Sequence, residues 1–97
     1  MPAEPSFPRP DAFGSDVVVY LTPGCPYCMM ARRLLGARGI PFESYDVSGN
    51  SAARAWLRTA TNQTTVPQIF IKGRSVGGFD ELSQLDSSGE LQTWLTR

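Results

Sequence analysis

Val17-Val18-Val19-Tyr20-Leu21 is an uninterrupted run of β-branched, aromatic and aliphatic residues. A strand with one wet face alternates apolar and polar residues, whereas a continuous run marks a strand buried on both faces. Layers must therefore cover both sides of this strand, which points to an α/β structure. Pro23-Gly24 breaks the run, and Pro26 suits the first turn of a helix, where a missing N–H costs nothing. Tyr27, Ala31, Leu34 and Leu35 recur at helical spacing, with Arg32, Arg33 and Arg38 on the opposite, wet side and Gly39 as the stop. Phe42 to Val47 reads as a second strand. Ser48-Gly49-Asn50-Ser51 reads as a turn and helix cap, and Ala53, Trp56, Leu57 and Ala60 mark a second amphipathic helix.

Beyond Thr65-Val66-Pro67, Gln68-Ile69-Phe70-Ile71 forms a third strand, and Lys72-Gly73-Arg74 turns tightly into a short fourth, Ser75 to Gly77. Gly78 opens a last helical region carrying Leu82 and Leu85, then Leu91, Trp94 and Leu95, with Ser87-Ser88-Gly89 dividing it into two helices. The predicted order is β-α-β-α-β-β-α with an extra C-terminal helix, giving a four-stranded mixed sheet flanked by helices. The first β-α-β unit calls for parallel strands in a right-handed crossover, and the short turn between the last two strands makes them antiparallel.

Residues 1–15 contain Pro2, Pro5, Pro8 and Pro10 and no apolar periodicity, so they read as a flexible tail ahead of a domain spanning 16–97. As a partner-binding arm this tail offers only Phe7 and Phe13 as anchors. The 97 residues suffice for one core, and a formal net charge of zero gives no pull towards nucleic acid or an anionic membrane. The longest apolar run is far too short to span a bilayer. Residues 1–16 lack the apolar stretch of a signal peptide and carry Glu4, Asp11 and Asp16, so a reducing, cytoplasmic setting is expected.

The chain holds two cysteines and no histidine. Cys25 and Cys28 are too close in sequence to stabilise a fold by loop closure, and a zinc site needs about four ligands. Their value lies in reactivity. Cys25 sits where a buried strand gives way to a helix, and unpaired N–H groups with the positive end of the helix dipole favour a thiolate there. An unperturbed thiol is only about 3% ionised at pH 7, so this placement multiplies the reactive species. Cys28 lies one turn further in, within reach of the same sulfur. The asymmetry makes Cys25 the nucleophile and Cys28 the resolving thiol.

Three separated motifs resemble the glutaredoxins of the thioredoxin-fold superfamily, over roughly residues 17–97. Cys25-Pro26-Tyr27-Cys28 matches their dithiol site. Thr65-Val66-Pro67 resembles the loop whose cis-proline faces the active cysteine, and Gly77-Gly78-Phe79-Asp80 resembles their glycine pair and acidic residue. The segment from Thr65 to Ile71 especially resembles small bacterial members. The resemblance implies a thioredoxin-like fold and a glutathione site. Val66, with Thr65 and Pro67, would offer backbone groups to the cysteinyl unit. Gly78 would allow close approach, with Phe79 and Asp80 beside it holding a carboxylate and the γ-glutamyl ammonium. Gln63 would meet the glycyl carboxylate, and Tyr27 would wall the sulfurs. Thr22 stands where many members carry lysine or arginine, and its hydroxyl can still donate.

The resemblance further implies a monomeric thiol–disulfide oxidoreductase that reduces disulfide-containing and glutathionylated proteins. Glutathione would be its electron donor, glutathione reductase would act indirectly through glutathione, and no metal or organic cofactor is required. Two other readings stay open. One is a redoxin reduced by thioredoxin reductase. The other is a carrier of a [2Fe–2S] cluster bridged between two subunits, against which Pro26 and Cys28 argue.

Overall fold

Alternate residues of the first strand face opposite ways, and both faces are covered. In the computed structural model, which describes residues 7–96, β1 (Val17–Leu21) is an inner strand of a four-stranded sheet ordered β2-β1-β3-β4. It runs parallel to β2 (Glu43–Asp46) and antiparallel to β3 (Gln68–Ile71), which pairs antiparallel with β4 (Arg74–Gly77) across an irregularity at Ile69/Phe70. Val17 and Val19 of β1, with Ile69 and Ile71 of β3, face α1 (Pro26–Ala37), α3 (Phe79–Ser88) and α4 (Glu90–Thr96), meeting Ala31, Leu35, Leu82 and Leu91. Val18, Tyr20 and Phe70 face the other way, onto Ala53 and Leu57 of α2 (Ser51–Thr61). Burying each Leu or Ile of these two cores contributes about 1.5–3 kcal/mol.

The helices end where their sequence says. Asn50 caps α2 by accepting the Ala53 N–H at 3.0 Å, and Gly89, at φ +82°, separates α3 from the additional helix α4. The second strand is shorter than Phe42 to Val47, although Val47 still donates its backbone N–H to the Leu21 carbonyl at 2.9 Å. At its C-terminal end α1 is tied to α3 by Arg38, whose Nε and Nη2 both donate to Asp86 at 2.8 Å. The N-terminal ends of the same two helices lie together, with the rings of Tyr27 and Phe79 6.5 Å apart.

Of the expected tail, residues 1–6 lie outside the described residues, and among 7–15 the side chains of Phe7 and Phe13 pack against the second core. Phe7 packs on Trp56 at 5.7 Å between ring centroids, and Phe13 meets Tyr20 and Tyr45 edge-on. A single 3-10 turn spans Pro10–Ala12. The guanidinium of Arg9 lies 5.4 Å from the Trp56 ring centre. The fully buried Tyr20 donates its hydroxyl to the Pro8 carbonyl at 2.7 Å. Prolines excluded helix from this segment without excluding order. Its aromatic side chains find the α2 face of the sheet, and burial of the Tyr20 phenol raises its pKa beyond the ordinary range.

Candidate active site

β1 ends at Leu21 and α1 begins at Pro26, and Cys25 is the residue that caps the helix. Its Sγ accepts the backbone N–H of Cys28 at 3.2 Å, the role that a serine or aspartate oxygen plays at other helix starts. As a thiol, Cys25 also donates to the Val66 carbonyl at 3.7 Å, which brings the Thr65-Val66-Pro67 loop against the nucleophile. The Val66–Pro67 peptide bond is cis, as the resemblance implied.

Cys28 is held differently. It is 2% exposed, whereas Cys25 is half-buried. Burial, reinforced by the hydrogen bond to Cys25, pushes its thiol from 9.0 up to about 11, against a lowering backbone hydrogen bond from Thr22. One sulfur therefore lies at the mouth of the helix and the other is kept protonated beneath it.

Beside the pair opens a cleft of about 420 Å³, lined by Tyr27, Gln63, Thr65, Val66, Pro67, Gly78, Phe79, Asp80 and Glu81. Eight of these residues are ones that the sequence singled out. Tyr27 is 57% exposed and, with Phe79, forms an apolar wall. Gln63 follows the left-handed C-cap Asn62 of α2. The first turn of α3 presents Phe79 and Asp80, whose N–H groups no helical carbonyl can reach.

Three details differ from expectation. Thr22 is not in the lining of the cleft, and its backbone instead serves the Cys28 sulfur. The position intolerant of a side chain is Gly77, at φ +112°, where a Cβ would collide with the Glu81 carboxylate; at Gly78 a Cβ would make ordinary contact, 3.5 Å from the Pro67 carbonyl. Glu81 itself was missed. It accepts the Gly78 N–H at 2.8 Å and so braces the start of α3, and an acidic residue three places after a cap is the signal that could have found it.

A larger cleft of about 470 Å³ lies at the opposite end of β1, lined in part by Ser15, Asp16, Arg38 and Gln92, with neither cysteine in its lining. Among the described residues no three His, Cys, Asp or Glu side chains converge as metal ligands. Nor is any described helix long and apolar enough to cross a membrane.

Comparison with known proteins agrees with this geometry. The family model described as glutaredoxin matches residues 17–76. The chain is 40% identical over 81 residues to glutaredoxin 3 of Escherichia coli strain K12, covering 84% of this chain and 98% of that protein. It is 41% identical over 80 residues to a glutaredoxin of Pseudomonas aeruginosa, covering 82% and 95%. Among solved structures, the buckwheat glutaredoxin–glutathione complex matches with a TM-score of 0.80 at 29% identity, covering 84% of this chain and 77% of that one. The solution structure of glutaredoxin from Brucella melitensis matches at 0.75 with 41% identity, covering 84% and 88%.

Proposed function

The chain belongs to the glutaredoxin family and is a thiol–disulfide oxidoreductase, and from that premise we propose that its reaction is glutathione-dependent, with Cys25 as nucleophile and Cys28 as resolving thiol. The observation that carries this reading is the convergence of Gln63, Val66, Phe79 and Asp80 on one cleft whose Val66 carbonyl lies 3.7 Å from the Cys25 sulfur. Glutathione is an extended peptide with two carboxylates and one ammonium. The backbone of Val66 pairs with its cysteinyl unit, the first turn of α3 takes the γ-glutamyl carboxylate, Asp80 takes the ammonium and Gln63 the glycyl carboxylate. The buckwheat relative, solved as a glutathione complex, supports glutathione as the ligand.

On a glutathionylated protein, the Cys25 thiolate attacks the glutathione sulfur. A Cys25–glutathione disulfide forms, and the protein thiolate leaves and takes a proton from water. A second glutathione thiolate then attacks that disulfide, giving oxidised glutathione and regenerating the Cys25 thiolate. On a protein disulfide, Cys25 first forms a mixed disulfide with one substrate sulfur. The other substrate sulfur leaves as a thiolate in that step; Cys28 then loses its proton, attacks Cys25 and expels the substrate sulfur bonded to it, and two glutathiones later reduce the Cys25–Cys28 disulfide. The elevated pKa of Cys28 suits this order, since a protonated Cys28 does not compete with Cys25 for the substrate disulfide. We place the enzyme in a reducing, cytoplasmic compartment, where glutathione reductase renews the donor.

The test compares two variants on a glutathione mixed disulfide with glutathione and its reductase. Cys25→Ser abolishes turnover, whereas Cys28→Ser retains it and loses reduction of protein disulfides by the dithiol route. Equal loss in both variants would overturn the division of labour. Turnover with thioredoxin reductase and none with glutathione would overturn the choice of donor.

A further inference from the structure

We propose that Gln68 is a positioning residue for glutathione, fixing the side-chain amide of Gln63 so that its NH2 end, which can only donate, faces the cleft. The proposal rests on the reading of that cleft as the glutathione site.

Gln68 is an unusual occupant of its place. It opens β3, alternates onto the same face as Phe70, and is 0% exposed. Its Oε1 is buried with no hydrogen-bond partner among the described residues. An amide oxygen stripped of water and left unpaired opposes folding, and an apolar side chain of similar shape would suit the core better. Packing therefore does not account for Gln68. What the residue does make is a pair of hydrogen bonds from Nε2, to the Thr65 carbonyl and to Gln63 Oε1, each at 2.9 Å.

Those two bonds determine the direction of a third group. A backbone carbonyl can only accept, so the end of Gln68 that meets Thr65 must be its NH2. That same NH2 meets the side chain of Gln63, so the atom of Gln63 it meets must be the oxygen. The NH2 of Gln63 is then the end left for the cleft, of which Gln63 is a lining residue. An exposed glutamine amide presents either end to solvent with similar ease and is no specific partner for an anion. Read through Thr65 and Gln68, this one is committed as a donor, aimed where the glycyl carboxylate of glutathione is placed. The polarity of an uncharged side chain is thus set from beneath by a buried one.

The experiment measures KM and kcat for the mixed disulfide of glutathione and cysteamine, with thermal unfolding of every variant as a check on folding. Gln63→Ala raises KM about threefold, the loss expected for one hydrogen bond to a solvated carboxylate. Gln68→Met raises KM by a similar factor, with the effect on KM rather than kcat. Gln63→Lys presents a cation that needs no orienting, so adding Gln68→Met to it leaves KM where Gln63→Lys set it.

An unchanged KM in Gln63→Ala would remove Gln63 from the glutathione site. A raised KM in Gln63→Ala with none in Gln68→Met would leave the site standing and overturn the positioning role. So would an equal rise from Gln68→Met in the Gln63→Lys background, which would mean that Gln68 merely supports the loop. A measurement on the unaltered protein stands apart from any folding defect. On titration with S-methylglutathione, the side-chain NH2 resonances of Gln63 shift while those of Gln68 stay in place and exchange slowly with solvent. Gln63 resonances that do not move at saturation would overturn the proposal.

Discussion

Cys28 should be a poor nucleophile until its neighbour is oxidised, and this can be read without any substrate. Consider Cys25→Ser, in which Cys28 is the sole thiol. An ordinary thiol ionises near 9.0 and Cys28 near 11, so at pH 8 the buried thiol holds about a hundredfold less thiolate. The substitution removes the hydrogen bond and charge contributed by Cys25 but leaves burial, the largest cause of the shift. Iodoacetamide should therefore alkylate Cys28 in this variant roughly thirtyfold to a hundredfold more slowly than an unstructured cysteine peptide at pH 8. The rate is followed by intact mass under native conditions and again in denaturant, where the difference should vanish. A native rate within about threefold of the peptide would show that the resolving thiol is neither buried nor held protonated, and the assignment of roles would lose its physical basis.

The same shift bears on stability. Above pH 9 the unfolded chain holds fewer protons than the fold, because Cys28 ionises near 9.0 when unfolded and near 11 when folded. Its stabilising contribution is thus complete below pH 9 and falls by about 2–3 kcal/mol by pH 11. Denaturant unfolding at stepped pH should show Cys28→Ser with a flatter alkaline decline than the parent, and parallel curves would refute the linkage. Tyr20→Phe removes the 2.7 Å bond to Pro8; the expected cost is about 1 kcal/mol, or a fall in Tm of about 4–8 °C. An unchanged Tm would mean that this bond does not hold the N-terminal segment.

Much of this site was legible because its residues obey local rules. Val17 to Leu21 could be read as doubly buried from continuity alone, and the cap position of Cys25 followed from the proline behind it. The cis peptide at Pro67 was not a local property. It came only through the resemblance of Thr65-Val66-Pro67 to a known loop. What remained hidden depends on contacts between segments distant in sequence. Phe7 and Phe13 sit among prolines with no period to reveal a buried face, and their partners Trp56, Tyr20 and Tyr45 lie on other elements. Gln68 looked like an ordinary strand residue, since nothing in its neighbours announces that a polar side chain there turns inward to Gln63. Thr22 was judged by the basic residue it replaces in relatives, whereas its backbone is what reaches Cys28.

The sulfur cap of α1 has a consequence for energetics that differs between the two oxidation states. In the reduced enzyme, Cys25 Sγ accepts the Cys28 N–H at 3.2 Å. A disulfide sulfur is a weaker acceptor than a free cysteine sulfur, so oxidation weakens the cap on the first turn of α1. Helix caps contribute about 0.5–2 kcal/mol. For a two-electron couple that corresponds to roughly 10–45 mV of reduction potential in favour of the dithiol. The helix start therefore acts as a built-in bias on the redox equilibrium, making the disulfide form the better oxidant, and the amide of Cys28 is the atom at which that bias is set.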